Sequence, residues 1–180
     1  MFKKRLTCQI IDIKNELVDY ASDRSNHPEQ YPAFTVIPEK DHDIQTCLDL
    51  ANQYKIPITV WGAGSGKSGG AIPEKGGITL SLEKFNHILD KDASNFCMTV
   101  QPGVITDTIK HEAENMGLYY PPDPSSSDWC TIGGNVAENA GGACSIKYGV
   151  TGDYVLGLEG FFGNGTPFKL GGKLYKDVAG

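Results

Sequence analysis

Trp61-Gly62-Ala63-Gly64-Ser65-Gly66-Lys67-Ser68-Gly69-Gly70 is the stretch on which the fold turns, because it follows directly on the apolar run Ile58-Thr59-Val60-Trp61. A strand running into a glycine loop is the frame of many nucleotide sites, and several readings compete for this one. Gly66-Lys67-Ser68 matches the end of a P-loop. A Walker A motif, however, needs glycine where Trp61 stands and a helix opening at its Ser/Thr, which Gly69, Gly70 and Pro73 oppose. Gly64-x-Gly66-x-x-Gly69 has the spacing of a dinucleotide fingerprint but lacks the same helix. A third reading needs no helix: consecutive backbone N–H groups, with no side chains to block approach, form a nest for an anionic phosphate. A flexible surface loop between strands stays open beside it.

Working outward, Phe34 to Ile37 reads as a short buried strand closed by Pro38. Asp41 and Asp43 then suit the first turn of a helix with Ile44, Cys47, Leu48, Ala51 and Tyr54 on one face. Lys55-Ile56-Pro57 breaks that helix, so residues 34–61 form a βαβ unit. Residues 1–20 carry Leu6, Ile10, Ile13 and Leu17 at helical spacing, which predicts an amphipathic helix lying on a larger body and ended by the polar stretch 22–32. Beyond the glycine loop, strands are expected at 78–82 and 97–100. A helix follows over 106–116, with Ile105, Ile109, Ala113 and Met116 inward and Gly117 as its C-cap. Residues 121–152 read as loop, apart from a short helix at 136–139. Segments 154–162 and 167–170, joined by Asn164-Gly165, read as a hairpin.

The 180 residues carry a formal charge of −6, with 39% hydrophobic and 21% charged residues. That composition supports a real core and excludes both a disordered acidic tail and a basic nucleic-acid binder. Bound phosphates must therefore be held without net positive charge. No apolar run approaches the roughly 18 residues of a membrane-spanning helix, so no span is expected. Cys8, Cys47, Cys97, Cys130 and Cys144 are odd in number and form no CxxC, which argues against a disulfide framework or zinc site and for a reducing, cytoplasmic setting. His27, His42, His87 and His111 lack metal-ligand spacing, and no metal site is expected.

Seven ordered blocks carry a resemblance. They are Gly62-Ala63-Gly64-Ser65-Gly66 with Ser68-Gly69-Gly70-Ala71; Val100-Gln101-Pro102-Gly103-Val104; Pro121-Pro122-Asp123-Pro124-Ser125-Ser126; Thr131-Ile132-Gly133-Gly134-Asn135; Asn139-Ala140-Gly141-Gly142; Lys147-Tyr148-Gly149-Val150; and Gly171-Gly172-Lys173 with Lys176-Asp177-Val178-Ala179-Gly180. Together they resemble the PCMH-type FAD-binding domain of the vanillyl-alcohol oxidase superfamily, in the branch that holds glycolate oxidase, the D-lactate dehydrogenases and the D-2-hydroxyglutarate dehydrogenases. The resemblance implies an α+β, two-subdomain fold: a small βαβ subdomain plus a mixed or antiparallel sheet with helices, over residues 34–180, preceded by an N-terminal helix and linker over 1–33. It implies a flavoprotein oxidoreductase passing hydride from a small 2-hydroxy acid to flavin N5, with reduced FAD handing electrons to an acceptor.

By the same resemblance the loop Gly62, Ala63, Gly64, Ser65, Gly66, Lys67, Ser68 and Gly69 wraps the pyrophosphate. Thr131, Gly133, Gly134, Asn135, Asn139, Gly141 and Gly142 line the ribityl chain and isoalloxazine, and Pro122, Asp123, Ser125, Tyr148 and Gly149 join the cofactor set. Alternatives stay open at several of these. Asp123 either caps the Ser125-Ser126 amides, touches the flavin or only forms a turn. Tyr148 either stacks near the ring or packs. Asn135 and Asn139 either hold loop backbone, adopt left-handed geometry or contact the cofactor. Ser65 stands where some family members attach FAD through histidine, so non-covalent FAD is implied. Trp61 and Gly152 stand where the family commonly has arginine, and Lys67 where it has a leucine-like residue; Lys67 either adds charge at the pyrophosphate or faces solvent.

The family continues past the last block into a further FAD-contacting segment and a substrate-binding cap. The chain is therefore expected to be C-terminally truncated and inactive alone, with its catalytic residues unassigned. A non-catalytic FAD-binding module whose partner subunit supplies the remaining domain is the alternative.

Overall fold

The computed structural model of the chain describes residues 4–173, so the block 176–180 lies outside the described residues. Strand β1 (Gln9–Ile11) is followed by a one-turn helix α1 (Lys14–Leu17) and a 3-10 turn, Val18–Tyr20. Then come β2 (Phe34–Ile37), α2 (Asp41–Tyr54), β3 (Ile58–Trp61) and β4 (Ile78–Ser81). Their order in the sheet is β1-β2-β4-β3, with β4 parallel to both β2 and β3, and β1 antiparallel to β2. The βαβ reading holds, with β4 inserted between its two strands.

The N-terminal helix is corrected. Residues 9–11 pair with Thr35, Val36 and Ile37 and add an edge to the sheet, because an open strand edge and the β-branched Ile10-Ile11 outweigh the helical spacing of the apolar positions. Leu6 and Leu17 are buried as the spacing suggested, but Ile13 is exposed.

Alternation along the strands gives the sheet two faces. Val36, Ile78 and Leu80 point toward α2, where Leu6, Cys47, Leu50 and Ala51 complete the core cluster. Burial raises the Cys47 thiol to about 12, which leaves it an inert apolar group. The opposite face carries Thr35, Ile37, Thr79, Ser81 and Trp61, all buried, and Trp61 meets Tyr20 edge-on at 5.5 Å.

Helix α2 begins as its acidic first turn predicts. Asp43 Oδ2 accepts from the backbone N–H of Glu39 and Lys40 at 3.2 and 3.1 Å, while its Oδ1 accepts from Thr7 Oγ1 at 3.0 Å. Asp43→Ala is expected to cost about 1–2 kcal/mol, since the side chain satisfies helix-entry donors and ties the N-terminal segment to α2. A urea midpoint lowered at unchanged slope checks it.

The second half is built from β5 (Ile88–Asp92), β6 (Cys97–Val100), α3 (Thr106–Asn115), α4 (Ile132–Glu138), α5 (Ser145–Tyr148), a 3-10 turn Thr151–Tyr154, and the hairpin β7 (Gly157–Phe161) and β8 (Pro167–Gly171). Pairs β5-β6 and β7-β8 are antiparallel, so the α+β class holds. Strand β5 was not foreseen. Its Ile-Leu-Asp-Lys-Asp sequence lacks an apolar alternation, and it is fixed by pairing and by Asp92, which caps the turn at Asn95 N (3.1 Å).

Segment 121–152 is more ordered than expected. Helix α4 starts at Ile132 and not near Val136, with Thr131 as N-cap, and α5 and the 3-10 turn follow. Tyr154 ends that turn and does not start the hairpin, which opens at Gly157. Gly133 and Gly134 read as loop, yet a Cβ on Gly133 would come within 2.6 Å of Pro102 Cβ and 2.9 Å of its carbonyl oxygen. Glycine there serves close approach inside a helix.

Candidate functional site

Strand β3 delivers the glycine loop to the junction between the four-stranded sheet and α4. No helix follows Ser68, and residues 62–70 have neither helix nor strand. That removes the P-loop and the dinucleotide fingerprint, both of which need a helix N-terminus there. Among the described residues, no backbone N–H from residue 62 to residue 70 donates to another backbone carbonyl, while Gly66 and Gly69 carbonyls accept from Arg24 N (3.0 Å) and Ile72 N (3.1 Å). Two of the loop's carbonyls are thus held by protein donors while, among the described residues, its backbone N–H groups stay uncommitted. Gly64 and Gly69 hold φ of +67° and +82°, the left-handed geometry that lets neighbouring N–H groups converge.

Gly62 abuts α4. A Cβ there would lie 2.5 Å from Thr131 Oγ1, and that hydroxyl accepts from Gly134 N at 3.3 Å. At the far end of α4, Glu138 Oε2 accepts from Ser68 Oγ at 2.6 Å. The loop is therefore stapled to both ends of one helix. Between Gly62-Ala63, Gly103-Val104-Ile105 and Thr131 opens a cleft of about 530 Å³, with Glu83 and Asn86 also lining it. Gly103 is forced by space: a Cβ would approach the Leu82 and Phe85 carbonyl oxygens at 2.5 and 2.8 Å. Glu83 Oε2 accepts from Tyr20 Oη (3.1 Å) and Ser81 Oγ (2.9 Å). Burial first and the Glu83 charge second push the Tyr20 hydroxyl far up, so it remains a donor throughout the neutral range.

The remaining expected residues form a second group beyond α4. Asp123 N donates to Gly141 O (3.1 Å), and Asp123 and Gly142 form an isolated parallel bridge, which brings together Pro122, Asp123, Gly141 and Gly142. The Asp123 carboxylate pairs with Lys110 of α3. Tyr148 meets Tyr119 edge-on at 6.0 Å, Tyr154 Oη donates to its carbonyl at 2.6 Å, and Lys147 Nζ sits 4.6 Å from its ring. Gly149 (φ +86°) lies against Asp153. Ser125 and Lys67 are exposed.

Two asparagines are committed to structure. Asn135, only 4% exposed, donates through Nδ2 to Thr106 Oγ1 at 2.7 Å. Asn139 is the left-handed cap of α4 (φ +50°), and its Oδ1 accepts from Gly152 N at 2.8 Å. Gly133 N likewise donates to Pro102 O at 2.8 Å, so Gly133 and Gly134 line their region by shape rather than by free donors. Sequence reasoning missed Gly103 to Ile105 as site residues, although Gln-Pro-Gly marked the turn. It also missed residues 22–27, which pack on the glycine loop: the His27 ring lies 2.7 Å from where a Gly69 Cβ would stand. By polarity alone these residues read as a linker.

These residues fit FAD. A row of open N–H donors suits an anionic diphosphate, and glycines at points of contact leave a cleft with little side-chain bulk.

The FAD binding domain family model matches residues 32–171. The glycolate oxidase subunit GlcD of Bacillus subtilis is 44% identical over 161 residues, covering 89% of this chain and 34% of that protein. The D-lactate dehydrogenase of Anaerostipes hadrus is 40% identical over 149 residues, covering 83% and 31%. Among solved structures, 6-hydroxy-D-nicotine oxidase from Arthrobacter nicotinovorans superposes with a TM-score of 0.77 at 22% identity, over 92% of this chain and 36% of that one, a likeness of fold. The chain spans about a third of the length of the curated relatives it matches.

Proposed function

From the premise that this chain belongs to the FAD binding domain family, we propose that it is the cofactor-holding part of an FAD-dependent dehydrogenase acting on a small 2-hydroxy acid of the glycolate, D-lactate or D-2-hydroxyglutarate type. The names of its relatives supply the substrate class. The observation that carries the reading is the row of uncommitted N–H groups at 62–70, closed against Thr131 by Gly62. Bound there, FAD supplies a two-electron acceptor for hydride from the substrate carbon.

The protein's own residues bind and orient. Gly62 to Gly69 hold the diphosphate by backbone donors, and Thr131 and Gly134 fix the start of α4 against that loop. Pro122, Asp123, Ser125, Asn139, Gly141, Gly142, Tyr148 and Gly149 build the wall beyond it, with Lys110 holding Asp123 in place. Ser65, a hydroxyl where relatives with linked flavin use imidazole, supports non-covalent attachment. Groups that grip the hydroxy acid and remove its hydroxyl proton lie, in this reading, beyond the matched third, on the same polypeptide or on a partner subunit. Among the described residues no helix is long and apolar enough to cross a membrane, and the free cysteines favour the cytoplasm.

The visible spectrum of the purified protein, after incubation with FAD and desalting, tests this. Retained absorbance of bound flavin is expected. A protein that takes up no FAD from excess overturns the cofactor assignment, and one that binds FAD but is never reduced by any 2-hydroxy acid, even with its partner present, overturns the substrate class.

A further inference from the structure

We propose that residues 22–27 form a strap across the glycine loop and that Arg24 supplies the positive charge for the diphosphate, an inference that rests on the FAD reading above. The loop's own cation, Lys67, is exposed, and the floor beneath the loop is apolar. Trp61 is buried against Tyr20 and lies beneath Gly64, whose Cβ would come within 2.6 Å of the indole ring. In a chain of net charge −6, a cation set on this loop adds attraction for an anionic ligand to what the backbone donors supply.

Arg24 is placed to give it. Its backbone N–H donates to Gly66 O at 3.0 Å, which fixes its Cα against the loop. Its guanidinium lies 5.2 Å from the Trp129 ring centroid, so the side chain runs from the glycine loop toward the segment that leads into Thr131. Among the described residues it makes no ion pair, and it is exposed, which leaves its fork of donors open to a phosphate.

The strap is ordered by its own bonds. Ser25 N donates to Asp23 Oδ1 at 2.8 Å, His27 N to Ser25 Oγ at 3.2 Å, and Gln30 N to Ala21 O at 2.9 Å. His27 closes its far end on Gly69, and Ser22 O comes within 3.5 Å of a Gly64 Cβ position. Asp23 holds the turn through Oδ1, while its Oδ2 is buried and, among the described residues, accepts no hydrogen bond.

Equilibrium titration with FAD at several salt concentrations, followed by flavin fluorescence, tests the proposal on the wild type, Arg24→Gln and Arg24→Lys, with ADP and adenosine as competitors. Arg24→Gln is expected to weaken FAD and ADP about ten-fold, the worth of one charge-assisted hydrogen bond at a partly screened site. It leaves adenosine unchanged and flattens the salt dependence, and Arg24→Lys restores part of both. Unchanged FAD affinity in Arg24→Gln overturns the proposal. So does a loss shared by adenosine at unchanged salt dependence, which marks a strap that only shapes the loop. A wild type that binds no FAD fails the cofactor reading itself, and the inference with it.

Discussion

Gly142→Ala is expected to lower stability by about 3 kcal/mol or more and to abolish FAD uptake, the sum of a strained backbone and an overlap that has no room to relax. Gly142 holds φ +107°, a conformation that side chains with a Cβ rarely adopt. An added Cβ would overlap the Asp123 carbonyl oxygen and carbon and crowd Pro124 N at 2.8 Å, all backbone. The bridge between Asp123 and Gly142 must then open. Because the Asp123 N–H bond to Gly141 O and the Lys110 pair depend on the same approach, the wall of the site opens with it. Urea unfolding reads the stability and flavin absorbance the binding. Gly163→Ala is the control: its Cβ meets nothing within 4 Å and its φ is not positive, so a change within about 0.5 kcal/mol is expected.

The parts of the fold that were legible are those where several local signals agree. For residues 34–61, apolar runs, a helical face, acidic first-turn residues and Lys55-Ile56-Pro57 all point one way, and the elements fall at 34–37, 41–54 and 58–61. At residues 9–11 the apolar spacing points to a helix, and it is overridden by an unpaired edge of β2 that no local window contains. Glycine misled at α4 for a related reason. Gly133 marks a place where Pro102 presses on a helix, and a contact thirty residues away in sequence cannot be told locally from loop punctuation.

The site shows the same division. A glycine loop is legible because its chemistry is in the backbone, and composition reports directly that side chains are absent. Residues that act through reach are not: Arg24 and His27 sit in a polar stretch with no motif, and only the folded chain sets them on Gly66 and Gly69. Asn135 and Asn139 were ambiguous because an amide serves a cofactor or a backbone equally well, and their partners Thr106 and Gly152 lie far off in sequence.

Asn135 offers the sharpest separation of those two uses. Its Nδ2 donates to Thr106 Oγ1, which in turn lies 3.3 Å from Cys130 O, both residues being fully or almost fully buried. Asn135→Ala removes a buried donor and leaves a small cavity, so a loss of about 2–3 kcal/mol is expected. Thr106→Val removes the acceptor but keeps the volume, and strands the Asn135 amide away from water at a cost of about 1–3 kcal/mol. If the two groups serve each other, the double variant costs about 1 kcal/mol less than the sum, since the second change removes a group that the first has already orphaned. Affinity for FAD, measured well below the unfolding transition, is expected to stay within about three-fold in all three variants, because that shift is under the worth of one hydrogen bond. A ten-fold fall in affinity with stability intact would instead place the Asn135 amide on the cofactor, and additive stability losses would break the pair. The outcome bears on the whole first turn of α4: with Asn135, Gly133 and Gly134 all committed inward, that helix positions the glycine loop through Thr131 rather than by donors of its own.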